Sequence, residues 1–223
     1  MNQLDLTVEE LLTTTRAVRK RLDLERPVPL ELIRECIEIA MQAPTGGNTQ
    51  GWHFVVVQDQ ERRSALAELY SRGWKIYKKS PGSVFDLFAK EAPSPRKDQL
   101  GRVCESADHL VDNLQHVPIH VIPCINGRPD KMSGNFASVG LASIYGSILP
   151  ATWSFMLAAR ARGLGTAWTT CHLMYEAEAA EILGIPYDAV TQVALIATAY
   201  SKGTEFKKSL RNPIDDVLHI DQW

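Results

Sequence analysis

Phe136–Ala159, FASVGLASIYGSILPATWSFMLAA, runs without a single charge through the second half of the chain. It is long enough to cross a bilayer, for which roughly 20 apolar residues suffice. Its composition argues against that: Ser138, Ser143, Ser147, Thr152 and Ser154 are scattered through it, with Gly140, Gly146 and Pro150. A lipid-facing helix is dominated by Leu, Ile and Val and has basic flanks. The run therefore reads as a helix buried on nearly every side and starting within its first third. Ser143, Ser147, Ala151, Ser154 and Ala158 recur at helical spacing and form a small-residue stripe that another helix can approach closely. Ile144, Ile148, Phe155 and Leu157 supply bulk on the other faces. A fully buried helix in a chain of 223 residues implies a thick core or a subunit interface.

The rest of the chain supplies the layers around it. Thr7-Val-Glu-Glu10 is a capping box that opens a short helix to about Thr14. Leu30, Ile33, Cys36, Ile37, Ala40 and Met41 keep a 3.6-residue period after Pro27-Val-Pro29. Asp59 caps a helix to about Lys79, and another runs from about Gln99 to Gln115. Between them, residues 80–97 lose the pattern at Pro81, Gly82, Pro93 and Pro95, as a lid or binding loop does. Arg160-Ala-Arg162-Gly163 ends the central helix with cations at its negative pole and glycine just past the end. Strands are expected at 53–57, 118–125, 166–170 and 190–199, with a helix over 175–183. Strands separated by helices indicate an α/β or α+β domain with a small central sheet.

Charge and cysteine usage narrow the partners. A net charge of −2 gives no reason to expect nucleic acid or an anionic membrane. Cys36, Cys104, Cys124 and Cys171 stand far apart without a C-x-x-C pair, as reduced core thiols of a cytoplasmic protein do. The opening MNQLDLTVEELL lacks the basic-then-apolar pattern of a secretory signal. His116 and His120 straddle Pro118 and cannot share a helical face, so no metal pair is expected there. His53, His109, His172 and His219 are expected to be hydrogen-bonded structural residues. No G-x-S-x-G elbow and no carboxylate pair is present for hydrolytic or acid–base chemistry.

What remains is a set of candidate binding features. Arg16, Arg19, Lys20 and Arg21 lie within six residues, either a solvated helix end or an anion site. Thr45-Gly-Gly-Asn48-Thr-Gln50 is a turn between helix and strand, either a plain loop or a place where backbone N–H groups meet a ligand. It is no P-loop, lacking G-K-[ST]. Gly163-Leu-Gly165 closes a helix, whereas the phosphate-binding glycines of dinucleotide folds open one. Thr166-Ala-Trp-Thr-Thr170 carries three hydroxyls and an indole. Basic groups at both chain ends, a glycine turn and a hydroxyl-rich strand suit a phosphorylated organic cofactor that brings its own reactivity.

Together these pieces resemble the nitroreductase family of flavoenzymes. The resemblance runs through TTTRAVRKR, APTGGNTQGWHFVVV, GSILPA, LAARARGLGTAWTT and RNPIDDVLHIDQW, in the family's order over nearly the whole chain. It implies one α+β domain over residues 1–223, a central mixed sheet flanked by helices, and an intertwined homodimer with FMN at the interface. It implies NAD(P)H as co-substrate and a nitroaromatic, quinone or related electron-poor acceptor, reduced by ping-pong hydride transfer at flavin N5. A reductive dehalogenase, a flavin-degrading enzyme or a non-catalytic flavin binder of the same fold are the alternatives. By position, Arg16 and Arg19 go to the phosphate or ribityl chain and to ring N1/O2, and Arg211 to the phosphate. Pro44, Thr45, Gly47, Asn48 and Gln50 match the turn reaching the flavin from the other subunit. Trp168, Thr169 and Thr170 match the segment near N5, the threonines as possible donors. The family's Arg-Arg-Ser-x-Arg reads Thr15-Arg-Ala17-Val-Arg19 here, so one phosphate contact is expected either to be missing or to come from Arg21 or Lys208.

Overall fold

The computed structural model describes residues 3–223. Thr7 caps α1 (Val8–Thr14) in a closed box: the Glu10 N–H donates to the Thr7 hydroxyl at 3.2 Å and the Glu10 carboxylate accepts from the Thr7 N–H at 2.8 Å. Then follow α2 (Leu30–Ala40), β1 (Trp52–Val57), α3 (Gln60–Tyr77), α4 (Val84–Lys90) and α5 (Pro95–Asn113). The second half holds β2 (Ile119–Asn126), α6 (Ala137–Ala161), β3 (Leu164–Thr169), α7 (Glu176–Leu183), β4 (Val190–Gln192) and β5 (Leu195–Tyr200).

The strands form one sheet in the order β1-β2-β5-β3, with β4 also paired to β2. All these pairs are antiparallel, and the parallel component of a mixed sheet is confined to one bridge, Ala17 with Thr166. Helices cover both faces, so β2 is buried along almost its whole length. Ile122, Cys124, Leu195 and Ala197 face the core shared with α3 and α5, built on Leu66, Tyr70, Trp74 and Leu110. Ile119, Val121 and Ile196 point the other way, toward Ile33 and Cys36 of α2 and Phe155 and Ala159 of α6. Each such large, fully buried side chain contributes about 1.5–3 kcal/mol.

Three expectations change. The strand expected over 190–199 is broken in two by a bulge. Gln192 stands opposite Cys124 and Ile196 opposite Val121, so four steps on one strand face three on the other. Pro123, which has no N–H to give a central ladder, lies within that interval and accepts from the Val193 N–H at 3.0 Å. Residues 80–97 are not a patternless loop, because α4 starts on Ser83, whose hydroxyl accepts from the Asp86 N–H at 3.2 Å. Ser94 with Pro95 likewise starts α5 earlier than the apolar period indicates.

The third change concerns α6. Ser147, Ile148, Ala151, Thr152, Phe155, Met156, Ala158 and Ala159 are buried against α2 and the sheet, but Phe136 and Val139 are 79% and 66% exposed, and Leu149 and Trp153 are also exposed. The helix is thus buried on one side of its C-terminal half only. By length and composition it could cross a membrane, yet its apolar stripe is already packed in the core.

Candidate functional site

The basic run is not a helix end. Thr13, Thr14 and Thr15 donate their hydroxyls back to the Glu9, Glu10 and Leu11 carbonyls at 2.6–2.8 Å, and Thr15 leaves α1 with extended backbone. Residues 16–19 then pad the free edge of β3, with the Val18 N–H donating to the Thr166 carbonyl at 2.8 Å. Val18 and Leu22 are buried, which carries the basic side chains away from the core.

Several of these arginines hold the C-terminal segment. Arg16 donates to the Lys207 carbonyl and the Ser209 hydroxyl, both at 2.9 Å. Arg21 donates to the carbonyls of Lys202 at 2.7 Å and Glu205 at 3.0 Å. Arg160, only 4% exposed, donates to the Thr204 carbonyl at 2.6 Å. Arg21 and Arg160 both stack on the Phe206 ring, 4.4 and 4.7 Å from its centroid. Burial pulls the Arg160 guanidinium down, and the neighbouring Arg21 adds to this.

Between this anchored segment and α5 lies a cleft of about 740 Å³. Six cations line it (Arg16, Arg19, Lys20, Arg21, Arg102 and Lys208), against one carboxylate, Glu105. Glu105 pairs with Lys20 at 3.1 Å, and Lys208 reaches Glu9 at 2.9 Å. Arg19 is half-buried between α3 and α5, and among the described residues its guanidinium makes a single hydrogen bond, a long one of 3.3 Å to the Ser106 hydroxyl. Burial pulls its guanidinium down, while Tyr70 and Tyr77 oppose the shift. A desolvated cation with idle donors beside other cations is a site for an anion.

The glycine turn is elsewhere. It packs on α6, with the Gly46 N–H donating to the Ser147 hydroxyl at 3.1 Å, and a Cβ at Gly46 would strike the Ser143 hydroxyl. Gly47, Asn48 and Gln50 all have φ near +50–60°, a strained state for the two amide residues. Pro44, Gly47, Asn48 and Gln50 are exposed and Thr45 half-buried; Thr45 Oγ1 accepts from the Gln50 N–H at 3.1 Å, and Asn48 Oδ1 from the Gln50 amide at 3.2 Å. On β3 the Thr169 hydroxyl is buried and donates to the Leu195 carbonyl at 3.0 Å, Trp168 is half-buried, and Thr170 is exposed. Arg211 is exposed and donates only to the Leu210 carbonyl. Within one protomer, therefore, Arg16 and Arg19 meet in the cleft, and neither Arg211 nor the glycine turn lines it.

The sequence profile of the Nitroreductase family matches residues 12–200. The chain belongs to the nitroreductase family, and so to the oxidoreductases. It is 24% identical over 220 residues to a protein of Methanothermobacter thermautotrophicus that carries the provisional name NADH dehydrogenase/NAD(P)H nitroreductase, covering 98% of this chain and 88% of that one. The fold is similar to that of iodotyrosine deiodinase solved with FMN and 3-iodo-L-tyrosine, at TM-score 0.69 and 17% identity, covering 97% and 100% of the two chains. It is also similar to an FMN- and NADPH-dependent nitroreductase from sphigopyxis sp. strain HMH, at TM-score 0.65 and 20% identity, covering 98% and 100%.

The wall of the cleft contributed by α5 went unnoticed in the sequence. Gln99, Arg102, Val103 and Ser106 all line the cleft. Their spacing of three and four residues was the available signal. The histidines also divide. His53 pairs with Asn126 at 3.0 Å and the His120 ring with the Leu114 carbonyl at 2.9 Å, but buried His172 has no partner at either nitrogen among the described residues. Burial depresses His120 to about 4 and His172 to about 3. Among the described residues no group of three or more His, Cys, Asp or Glu side chains could hold a metal. All four cysteines are free, and burial raises Cys36 and Cys171 to about 11 and Cys124 to about 12.

Proposed function

We propose that the chain is a single-domain, homodimeric, cytoplasmic oxidoreductase that binds FMN and uses NAD(P)H to reduce nitroaromatic, quinone or related electron-poor acceptors. The observation that carries this reading is the cleft, where Arg16, Arg19 and Lys208 converge from both chain ends. Its donor set fits a phosphorylated ligand, since cations outnumber carboxylates and Arg19 is short of acceptors. When bound, FMN would supply the hydride-transfer chemistry between NAD(P)H and the acceptor.

The chain's own groups bind, orient and tune. Arg16, which keeps donors beyond those spent on the tail, would hold the phosphate with Lys208, and Arg211 would join once the tail is docked. Arg19 would face ring N1/O2 and stabilise negative charge there, a contact worth about 1.5–3 kcal/mol. The Thr169 hydroxyl is already spent on Leu195, so Thr170 is the side chain left to donate toward N5, with Trp168 flanking it.

A second copy would complete the site. Phe136 just before α6, Val139, Leu149 and Trp153 on it, and Leu210, Ile214, Val217, Leu218, Ile220 and Trp223 of the tail are exposed apolar residues of the kind a second copy would cover. Burying them would bring the other subunit's Pro44, Thr45, Gly47, Asn48 and Gln50 to the flavin. Anaerobic mixing with NADH or NADPH tests the reading: the yellow protein should bleach and recover its colour on adding a nitroarene or quinone. A colourless monomer that takes up no added FMN overturns it.

A further inference from the structure

We propose that Arg102 of α5 receives the 2′-phosphate of NADPH and so makes the enzyme prefer NADPH to NADH, a proposal that rests on the flavin-reductase reading above. The cleft holds more positive charge than one bound phosphate needs, and that charge is unevenly committed. Arg16 and Arg21 are tied to the tail, Lys20 to Glu105 and Lys208 to Glu9. Among the described residues Arg102 has no hydrogen bond and no ion pair, although it lines the same cavity.

Its position is set by a firmly held helix. Asp108 accepts from the Trp74 indole at 2.9 Å and from the Lys78 ammonium at 2.9 and 3.0 Å, pinning α5 to α3. On the N-terminal side the Phe88 ring packs against Gly101, where an added Cβ would sit 3.2 Å from it. Arg102 precedes Ser106, the residue Arg19 touches, by one helical turn, about 6 Å along the axis. It therefore stands beyond the cation assigned to the flavin ring, on the wall opposite Lys208 and Ser209, and it is exposed.

An exposed position on the lining of the cleft is open to the part of a coenzyme that extends out of it. With its nicotinamide against the flavin, the remainder of the molecule must run outward past the mouth. NADPH differs from NADH by one phosphate monoester, which carries about −1.5 to −2 at neutral pH. An unpaired guanidinium grips such a group with two parallel hydrogen bonds. The hydride transfer itself is unchanged; Arg102 contributes only to which coenzyme binds.

The test compares kcat/KM for NADPH and NADH in FMN-loaded wild type, Arg102→Gln and Arg102→Glu. Losing one charged contact should lower the NADPH value by roughly tenfold and leave NADH unchanged. Arg102→Glu should reverse the preference, and the wild-type preference should shrink as salt rises. Calorimetry supplies a readout without turnover: 2′,5′-ADP should bind wild type more tightly than 5′-AMP does, and Arg102→Gln should abolish that difference. Equal losses with both coenzymes, or an unchanged ratio, overturn the proposal. Wild type that binds no FMN or bleaches with neither coenzyme would instead defeat the functional reading, and bleaching by both with no Arg102 dependence defeats this one alone.

Discussion

Gly73→Ala places a methyl group where α3 meets the segment that follows β3. An added Cβ there would strike the Cys171 carbonyl oxygen and lie 2.9 Å from its carbonyl carbon and 3.2 Å from its Cβ. Ordinary contacts are 3.4–4 Å, so the Cys171 carbonyl must retreat by about 1 Å. Two effects compete. Alanine in a helix interior gains about 1 kcal/mol over glycine, whereas overpacking costs about 1–3 kcal/mol. The clash should win, because the obstacle is backbone held from behind: Thr169, two residues earlier, is paired to Leu195 in the sheet. The net loss is up to about 2 kcal/mol, or up to roughly 8 °C in Tm for a chain of this size. Thr170, the proposed N5-side donor, adjoins the displaced residue, and a misplacement approaching 1 Å can cost about a hundredfold in rate. Thermal melts and stopped-flow reduction should therefore show a lower Tm and a slower hydride step with FMN occupancy retained, since the basic cleft does not include Gly73. A variant as stable as wild type, reduced at the wild-type rate, would refute the reasoning.

Arg19→Ala should weaken FMN retention by roughly ten- to a hundredfold and slow turnover, by the 1.5–3 kcal/mol a charged hydrogen bond is worth; dialysis against FMN-free buffer and steady-state kinetics measure both, and full occupancy with unchanged kinetics rejects the role. Acid should destabilise the fold through His120 and His172. Both are depressed mainly by burial, to about 4 and about 3, with Arg63 acting further on His120 and His120 on His172. The unfolded chain takes up those protons near pH 6.5, so this stability is complete above that pH and lost as pH falls toward 4, at about 1.4 kcal/mol per unit for each histidine. Urea midpoints at pH 7, 5.5 and 4.5 should fall accordingly, and His172→Leu should flatten the slope; a midpoint indifferent to pH over that range would sink the argument. Trp153→Arg, on the exposed side of α6, should shift sedimentation from dimer toward monomer and release FMN, whereas an intact, flavin-loaded dimer would remove α6 from the interface.

How much of this was legible in the sequence follows from the range of the forces involved. Local rules recovered α1 from its capping box and α2 from its period. They failed where tertiary partners decide. The break between β4 and β5 comes from Pro123 on a different strand, and nothing within residues 190–199 announces it. α6 looked buried all round because hydropathy counts apolar residues without telling an internal neighbour from an external one; Trp153 and Phe136 are as apolar as Phe155, yet of the three only Phe155 is buried in its own chain. Sequence order also hid the role of the basic run. Arg16 and Arg21 read as ligands for a phosphate, but much of their hydrogen bonding goes to carbonyls nearly two hundred residues away.

That tethering explains why the site needs both chain ends. A guanidinium that binds the tail backbone cannot be displaced by ligand without freeing the tail, so Arg16, Arg21 and Arg160 make cleft and tail one cooperative unit. Phe206, held between two guanidiniums, is its keystone. What the cleft can offer a visitor is Arg19 and Arg102, together with the donors that Arg16 and Lys208 keep beyond Lys207, Ser209 and Glu9. The glycine turn, strained at Asn48 and Gln50 and fastened to α6 through Ser147, stands apart from this cleft within its own chain. In the proposed dimer, the cationic cleft of one copy and the turn of the other would form the two halves of the flavin site.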